Sequence, residues 1–259
     1  MPASFGTRLA WLLPGSALAV ATIGWGSLNV VDLLAHERHD LHVEYPEPIR
    51  SIDIDTDKGS VHVIGTNDRT VTLDAKVSEG LRAGSHSERV EGDRLVVRAT
   101  CGNVLATWCG VDYTIRVPAE TDVVADASGS GIDVSGVTGD VDLSSSGGGV
   151  HVVGAGGTLT LHSSGGGVTA EQLTSDTVDA SSSGGGVRLR FTEPPRSVKA
   201  SSSGGGVTVE VPDTPDAYRV DASSSGGGVN TEVRTDPDSP NVIDASSSGG
   251  GVTIRYPDS

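Results

Sequence analysis

A seven-residue phrase, Ser-Ser-Ser-Gly-Gly-Gly-Val, recurs through the second half of this 259-residue chain, and it constrains the fold more than any other feature. Six copies lie within 141–152, 159–170, 178–189, 198–209, 220–231 and 243–254, the second with His162 for the first serine. A degenerate seventh, VVADASGSGIDV, occupies 123–134. The first glycines of the triplets are Gly147, Gly165, Gly184, Gly204, Gly226 and Gly249, at spacings of 18, 19, 20, 22 and 23 residues. A period near 20 is too short for a helical pair and suits one coil of a β-solenoid.

Within each unit the alternation has the period of a strand. Val141, Leu159, Val178, Val198, Val220 and Ile243 head one inward column, and Leu143, Leu161, Ala180, Ala200, Ala222 and Ala245 form the next. Asp142, Thr160, Asp179, Lys199, Asp221 and Asp244 alternate with them and point outward. Beyond the glycines, Val150, Val168, Val187, Val207, Val229 and Val252 turn inward, and His151, Thr169, Arg188, Thr208, Asn230 and Thr253 outward. The candidate exposed face is therefore Asp142, Asp179, Asp221, Asp244, His151 and Arg188. From Val141 to Val150 is nine residues, an odd step, so the strand phase slips between them. The glycine triplet is the expected corner, with φ > 0 available to it and close backbone stacking permitted. The middle serines (Ser145, Ser163, Ser182, Ser202, Ser224, Ser247) share the inward phase and are predicted to be buried or at the corner. Each serine column can form a ladder of hydroxyls along the stack.

The spacers hold Pro194, Pro195, Pro212, Pro215, Pro237 and Pro240, which read as loops absorbing the drift in period. Coils about 4.8 Å apart would make the six full repeats a rod of roughly 25–30 Å. Rings are scarce: beyond residue 40 the aromatics are Trp108, Phe191, Tyr45, Tyr113, Tyr218 and Tyr256. A thin core of Val, Ile, Leu and Ala fits that shortage. The expected fold is all-β, a solenoid of coils of about 20 residues, with 121–259 as the regular repeat and 48–120 as its strand-rich opening. Gly59-Ser60-Val61 reads there as a worn copy of the corner. The chain closes on Tyr256-Pro257-Asp258-Ser259 without a capping helix, so end-to-end self-association through the last coil is expected.

Residues 9–31 are 23 residues without a charge, enough as a helix to cross a bilayer core. They read as a transmembrane helix or signal-anchor after a cytoplasmic segment 1–8, with 32–47 as a juxtamembrane linker. The alternative is a signal peptide cleaved near Ala19-Val20-Ala21, with secretion of the rest. Either reading exports the repeat. Cys101 and Cys109 then read as a disulfide around a hairpin-like excursion, the alternative being two free buried thiols. The net charge of −16 argues against nucleic acid and against direct adhesion to anionic lipid.

From Pro48 onward the order of IDIDTDKGSVHVIGTN, then YTIRVPAETDVVADASGSGIDV, then the triplet repeats resembles the bacterial putative-adhesin family of β-strand-repeat proteins, domains of unknown function. The resemblance implies a β-helix-like stack that is exported or membrane-tethered, and it supplies no catalytic residues.

Chemical signatures are absent from the residues themselves. The chain has no G-x-S-x-G elbow, and its glycine triplets lack the Gly-Lys-Ser/Thr ending of a phosphate loop. The Asp142/Asp179/Asp221/Asp244 column could hold a cation weakly, but Thr160 and Lys199 interrupt it, and solvated edge charge is the simpler reading. His36, His39 and His42 would approach one face of a helix, or else belong to a polar linker. No catalytic, cofactor-binding or metal site is expected. The expected function is a tethered adhesion or scaffold module of the cell envelope, with a protein or glycan partner. An accessory to envelope-stress sensing and a polysaccharide-acting β-helix enzyme are the alternatives.

Overall fold

The computed structural model describes residues 37–79, 85–101 and 109–257, and every regular element among them is a strand. The apolar run 9–31 lies outside the described residues. Among those described, no helix is long and apolar enough to cross a membrane. The chain begins with β1 (Glu37–Tyr45), β2 (Ser51–Thr56), β3 (Val61–Thr66), β4 (Val71–Glu79), β5 (Ser85–Glu91), β6 (Arg94–Thr100) and β7 (Gly110–Pro118). It then runs in pairs, one pair to a coil. These are β8 (Asp122–Ala127) with β9 (Ile132–Ser135), β10 (Val141–Ser145) with β11 (Val150–Val153), and β12 (Leu159–Ser163) with β13 (Val168–Leu173). Next come β14 (Thr177–Ser182) with β15 (Val187–Phe191), and β16 (Ser197–Ser202) with β17 (Val207–Glu210). The last pairs are β18 (Arg219–Ser224) with β19 (Val229–Thr231), and β20 (Val242–Ser247) with β21 (Val252–Arg255).

The first strand of each pair enters a ten-stranded sheet, here the serine sheet, and the second enters an eleven-stranded one, the valine sheet. Both are parallel through the repeats, and the register sets like upon like: Val141 on Leu159, Leu143 on Leu161, Ser145 on Ser163. The expected inward columns form the core. Val178, Ala180, Val187 and Leu189 are each no more than 2% exposed. Small and large alternate between the sheets within a coil, Leu161 with Ala170 and Ala180 with Leu189, and the core's few rings, Tyr113, Phe191 and Tyr218, are fully buried among them.

Chain order and stacking order differ at both ends. The last coil, β20/β21, does not close the stack: it slots between β16/β17 and β18/β19. The expectation that the stack ends at Tyr256 is corrected accordingly, and the outermost coil is the one at 219–231. The physical reason lies in the spacers. Steps of 18–20 residues carry the chain up one level, whereas the final steps of 22 and 23 skip a level and come back. Similarly, β2/β3 sits between β6/β7 and β8/β9. Beyond β6/β7 the pattern changes to antiparallel: β4 and β1 extend the valine sheet, and β5 extends the serine sheet. Residues 37–45, expected within a linker, are thus a strand, and His39 and His42, three apart, point to opposite faces of it.

The corner is built differently from the expectation that its glycines use φ > 0. Among the described glycines, positive φ occurs at Gly59, Gly92, Gly136 and Gly154 and at no triplet position. Close approach is the constraint instead. A Cβ on Gly148 would lie 2.2 Å from the Gly131 nitrogen, and one on Gly185 2.6 Å from the Gly167 nitrogen. The middle serine fastens each corner to the next coil. Ser182 Oγ accepts from the Gly185 N–H of its own coil at 3.0 Å and donates to the Gly166 carbonyl of the adjacent coil at 2.8 Å. Ser202 repeats this with Gly205 and Gly185, and Ser247 with Gly250 and Gly205. These hydroxyls therefore bracket backbone to backbone rather than forming a serine-to-serine ladder. Thr56 takes the same inward place in β2 and is fully buried.

The left-handed backbone lies on the other side of the coil. Gly136 and Gly154 follow β9 and β11 with φ of 68° and 67°, and 18 residues further on Gln172 adopts φ of 55° within the irregularity of β13. A side chain there carries local strain of about 1–2 kcal/mol that the two glycines avoid.

Two glycine substitutions separate close approach from turn conformation. Gly185→Val should destabilise the stack by about 3 kcal/mol or more, because backbone faces the new Cβ and cannot yield as a side chain would. Gly228→Ala, where an added Cβ meets nothing within 4 Å, should change stability by less than about 0.5 kcal/mol. Chemical denaturation of the two variants measures both.

Candidate interaction surface

The outer face of the valine sheet carries an unbroken transverse column. Reading across the strands it runs His42, Asp74, Thr114, His62, Asp133, His151, Thr169, Arg188, Thr208, Thr253 and Asn230. Two of the candidate residues, His151 and Arg188, belong to it. His42 Nδ1 lies 2.6 Å from Asp74 Oδ1, and Arg116 contacts the other oxygen at 2.7 Å. The Asp74 hydrogen bond raises the His42 pKa above its ordinary value, and the His42 and Arg116 bonds hold Asp74 below the usual carboxylate range. His62 and Asp133 approach to 3.2 Å, and both line a shallow cleft with His151, Val63 and Val153.

One step along the strands sits an ion triad. Glu210 points outward yet is only 2% exposed, because Arg190 of β15 and Arg255 of β21 close over it. Arg190 Nε donates to Oε2 and Arg255 Nη2 to Oε1, each at 2.6 Å. Burial pushes the Glu210 pKa up, but the two arginines outweigh it and the net shift is downward. Sequence reasoning missed this triad. Aligned in chain order, the third residue after each triplet valine reads Val153, Glu171, Arg190, Glu210, Glu232, Arg255, which leaves Arg255 apart from Glu210. Only the insertion of the last coil makes them neighbours.

The serine sheet presents the acidic candidates. Its outward column runs Asp221, Asp244, Lys199, Asp179, Thr160, Asp142, Val124 and Asp53. Asp221 and Asp244 are adjacent, Lys199 lies 3.7 Å from Asp179, and Asp142 stands apart beyond Thr160. The structure thus does not bring the four aspartates together. Burial, then the nearby Asp126, raises the Asp142 pKa. Asp53 is held low, first by its hydrogen bond from Arg98 and also by Arg94. The parallel column beside it is hydroxyl-rich: Ser223, Ser246, Ser201, Ser181, His162 and Ser144. His162 Nδ1 is 2.9 Å from Ser181 Oγ.

The spacers pile up along one edge, where Asp176, Arg196, Asp216, Asp236 and Asp238 line an open groove. Among the described residues, no group of three or more His, Cys, Asp or Glu side chains is placed to hold a metal ion. Cys101 and Cys109 form a disulfide between the end of β6 and the start of β7. The first triplet glycines lie at the corners between paired strands, Gly147 after β10, Gly165 after β12, Gly184 after β14, Gly204 after β16, Gly226 after β18 and Gly249 after β20. Among the described residues the geometry offers two ruled faces, the valine-sheet column polar throughout and the serine-sheet column polar except at Val124.

The chain belongs to the Toastrack family, DUF4097, whose model matches residues 85–255. Its fold is similar to that of a putative adhesin of Bacteroides fragilis, at 16% identity and a TM-score of 0.45, covering 84% of this chain and 97% of that one. A putative cell adhesion protein of Clostridium sporogenes is similar at 11% identity and a TM-score of 0.42, covering 86% and 100%. A putative lipid binding protein of Parabacteroides distasonis is similar at 11% identity and a TM-score of 0.42, covering 85% and 96%. No curated protein matches the chain.

The triad yields a pH-dependent expectation. The Glu210 pKa is depressed on folding, so its ion pairs stabilise the fold above the ordinary glutamate value of 4.5, and that contribution is lost as pH falls through the lower folded value. Glu210→Gln should lower the melting temperature by a few degrees at pH 7, with the gap to wild type closing in acid. Thermal scans from neutral to acidic pH measure the difference.

Proposed function

We propose that this protein is a non-catalytic adhesion or scaffold module of the cell envelope, tethered through the apolar run 9–31, with the outer face of its valine sheet as the contact surface. The observation that carries this reading is the unbroken register of that sheet, which sets outward side chains from His42 to Asn230 in one column across the stack. Such a face suits an extended protein or glycan partner, whose repeating groups can meet repeating side chains at a fixed pitch of about 4.8 Å. The disulfide fits an oxidising, extracytoplasmic setting. Glu210, a carboxylate that an enzyme could have used, is engaged by two arginines.

Site-specific cross-linking in intact cells tests the proposal. A photo-reactive residue at His151, on the valine sheet, should capture a partner, while one at Thr160, on the serine sheet, should capture little. Capture at Thr160 alone would move the contact to the other face. Protease added to intact cells should remove the repeat, and its protection would contradict the extracytoplasmic placement. Polysaccharide cleavage abolished by a single carboxylate substitution would replace the reading with the enzymatic one.

A further inference from the structure

The two ends of the stack are finished differently. At one end the edge strands are β1 and β5, both antiparallel to their neighbours. β5 reads SHSERVE and turns Glu88 toward the interior side, where burial raises its pKa and leaves Oε1 without a hydrogen-bond partner. An inward-pointing carboxylate on an edge strand is a device that discourages further pairing. At the other end lies the coil of β18 and β19, with no such device among the described residues.

That outer coil has the sequence of an inner one. Residues 220–229 read VDASSSGGGV, identical to 178–187, which are stacked on both sides. The internal triplet valines Val150, Val168, Val187, Val207 and Val252 are at most 2% exposed, whereas Val229 is 47% exposed. Val220 and Ala222 are half-buried where their counterparts are buried. The third glycine tells the same story. A Cβ on Gly149, Gly167, Gly186, Gly206 or Gly251 would meet the carbonyl of the following coil at 2.8–3.1 Å, but one on Gly228 would meet nothing within 4 Å. The end coil is therefore shaped to receive another coil, which none of the described strands supplies.

We propose that a second copy of this chain occupies that edge, the two β18/β19 ends meeting about a two-fold axis. Charge favours this arrangement. Arg219 and Asp221 flank Val220 on the outward side of β18, so an antiparallel copy with Val220 opposite Val220 sets each arginine against the partner copy's aspartate. The β1/β5 end, with its buried-side Glu88, is the unfavourable mate for head-to-tail stacking. A tail-to-tail pair would double the length of both polar faces while leaving each β1 edge at an outer end.

The test is the mass of the full chain in detergent across a concentration series, by sedimentation. A dimer is expected. Val229→Lys and Gly228→Arg should weaken it by about tenfold or more while leaving the far-ultraviolet dichroism and melting temperature of the monomer unchanged. Val220→Cys should form an intermolecular disulfide on mild oxidation. A monomer throughout, a dimer indifferent to both edge variants, or a ladder of larger assemblies would overturn the two-fold pairing.

Discussion

Everything in this fold depends on how closely two backbones can approach at a corner. Strands in adjacent coils sit about 4.8 Å apart, and a turn that keeps this pitch leaves no room for side chains between levels. The triplet satisfies the demand by removing Cβ where neighbouring coils touch, and the middle serine ties the result together with one hydrogen bond accepted from its own coil and one donated to the next. Buried backbone groups that a sharp corner would strand are thereby paired. The triplet recurs where full repeats stack on one another, whereas the β8/β9 corner departs from it, with Ala127 at the middle-serine place and Ser130 at the middle-glycine place.

A corner so strictly determined frees the rest. Outward side chains change from coil to coil without consequence for the core, so Asp179, Lys199 and Asp244 succeed one another in a single column. Chemistry on such a molecule is written across strands, in the direction of stacking. The His42–Asp74 pair, the His62–Asp133 pair and the Glu210 triad all join residues far apart in sequence but level with one another on the sheet. The pKa shifts of His42, Asp74 and Glu210 share an origin in hydrogen bonds to a charged partner on the neighbouring strand.

Most of the architecture was legible because period and phase are local properties. Val141, Leu143, Val150 and the middle serines announced their inward direction through alternation alone, and the corner followed from the odd step between two valines. Two things were hidden. The reason for glycine, contact rather than φ, depends on the neighbouring coil and not on the turn itself. The order of coils depends on spacers whose length registers as drift but does not say that the chain skips a level and returns. The position of Arg255 beside Glu210, the exposed Val229 and the strand at 37–45 all follow from non-local pairing, which hydrophobic period cannot reveal.

Amide hydrogen exchange at the corners reaches the central claim most directly. If the middle serines bracket adjacent coils, the N–H groups of Gly148 and Gly250, each bonded to a serine Oγ at 3.0 Å, should exchange as slowly as amides in the strands beside them. Exchange at the rate of an exposed turn such as Gly92 would show that the corners are open, and that the strands alone hold the stack.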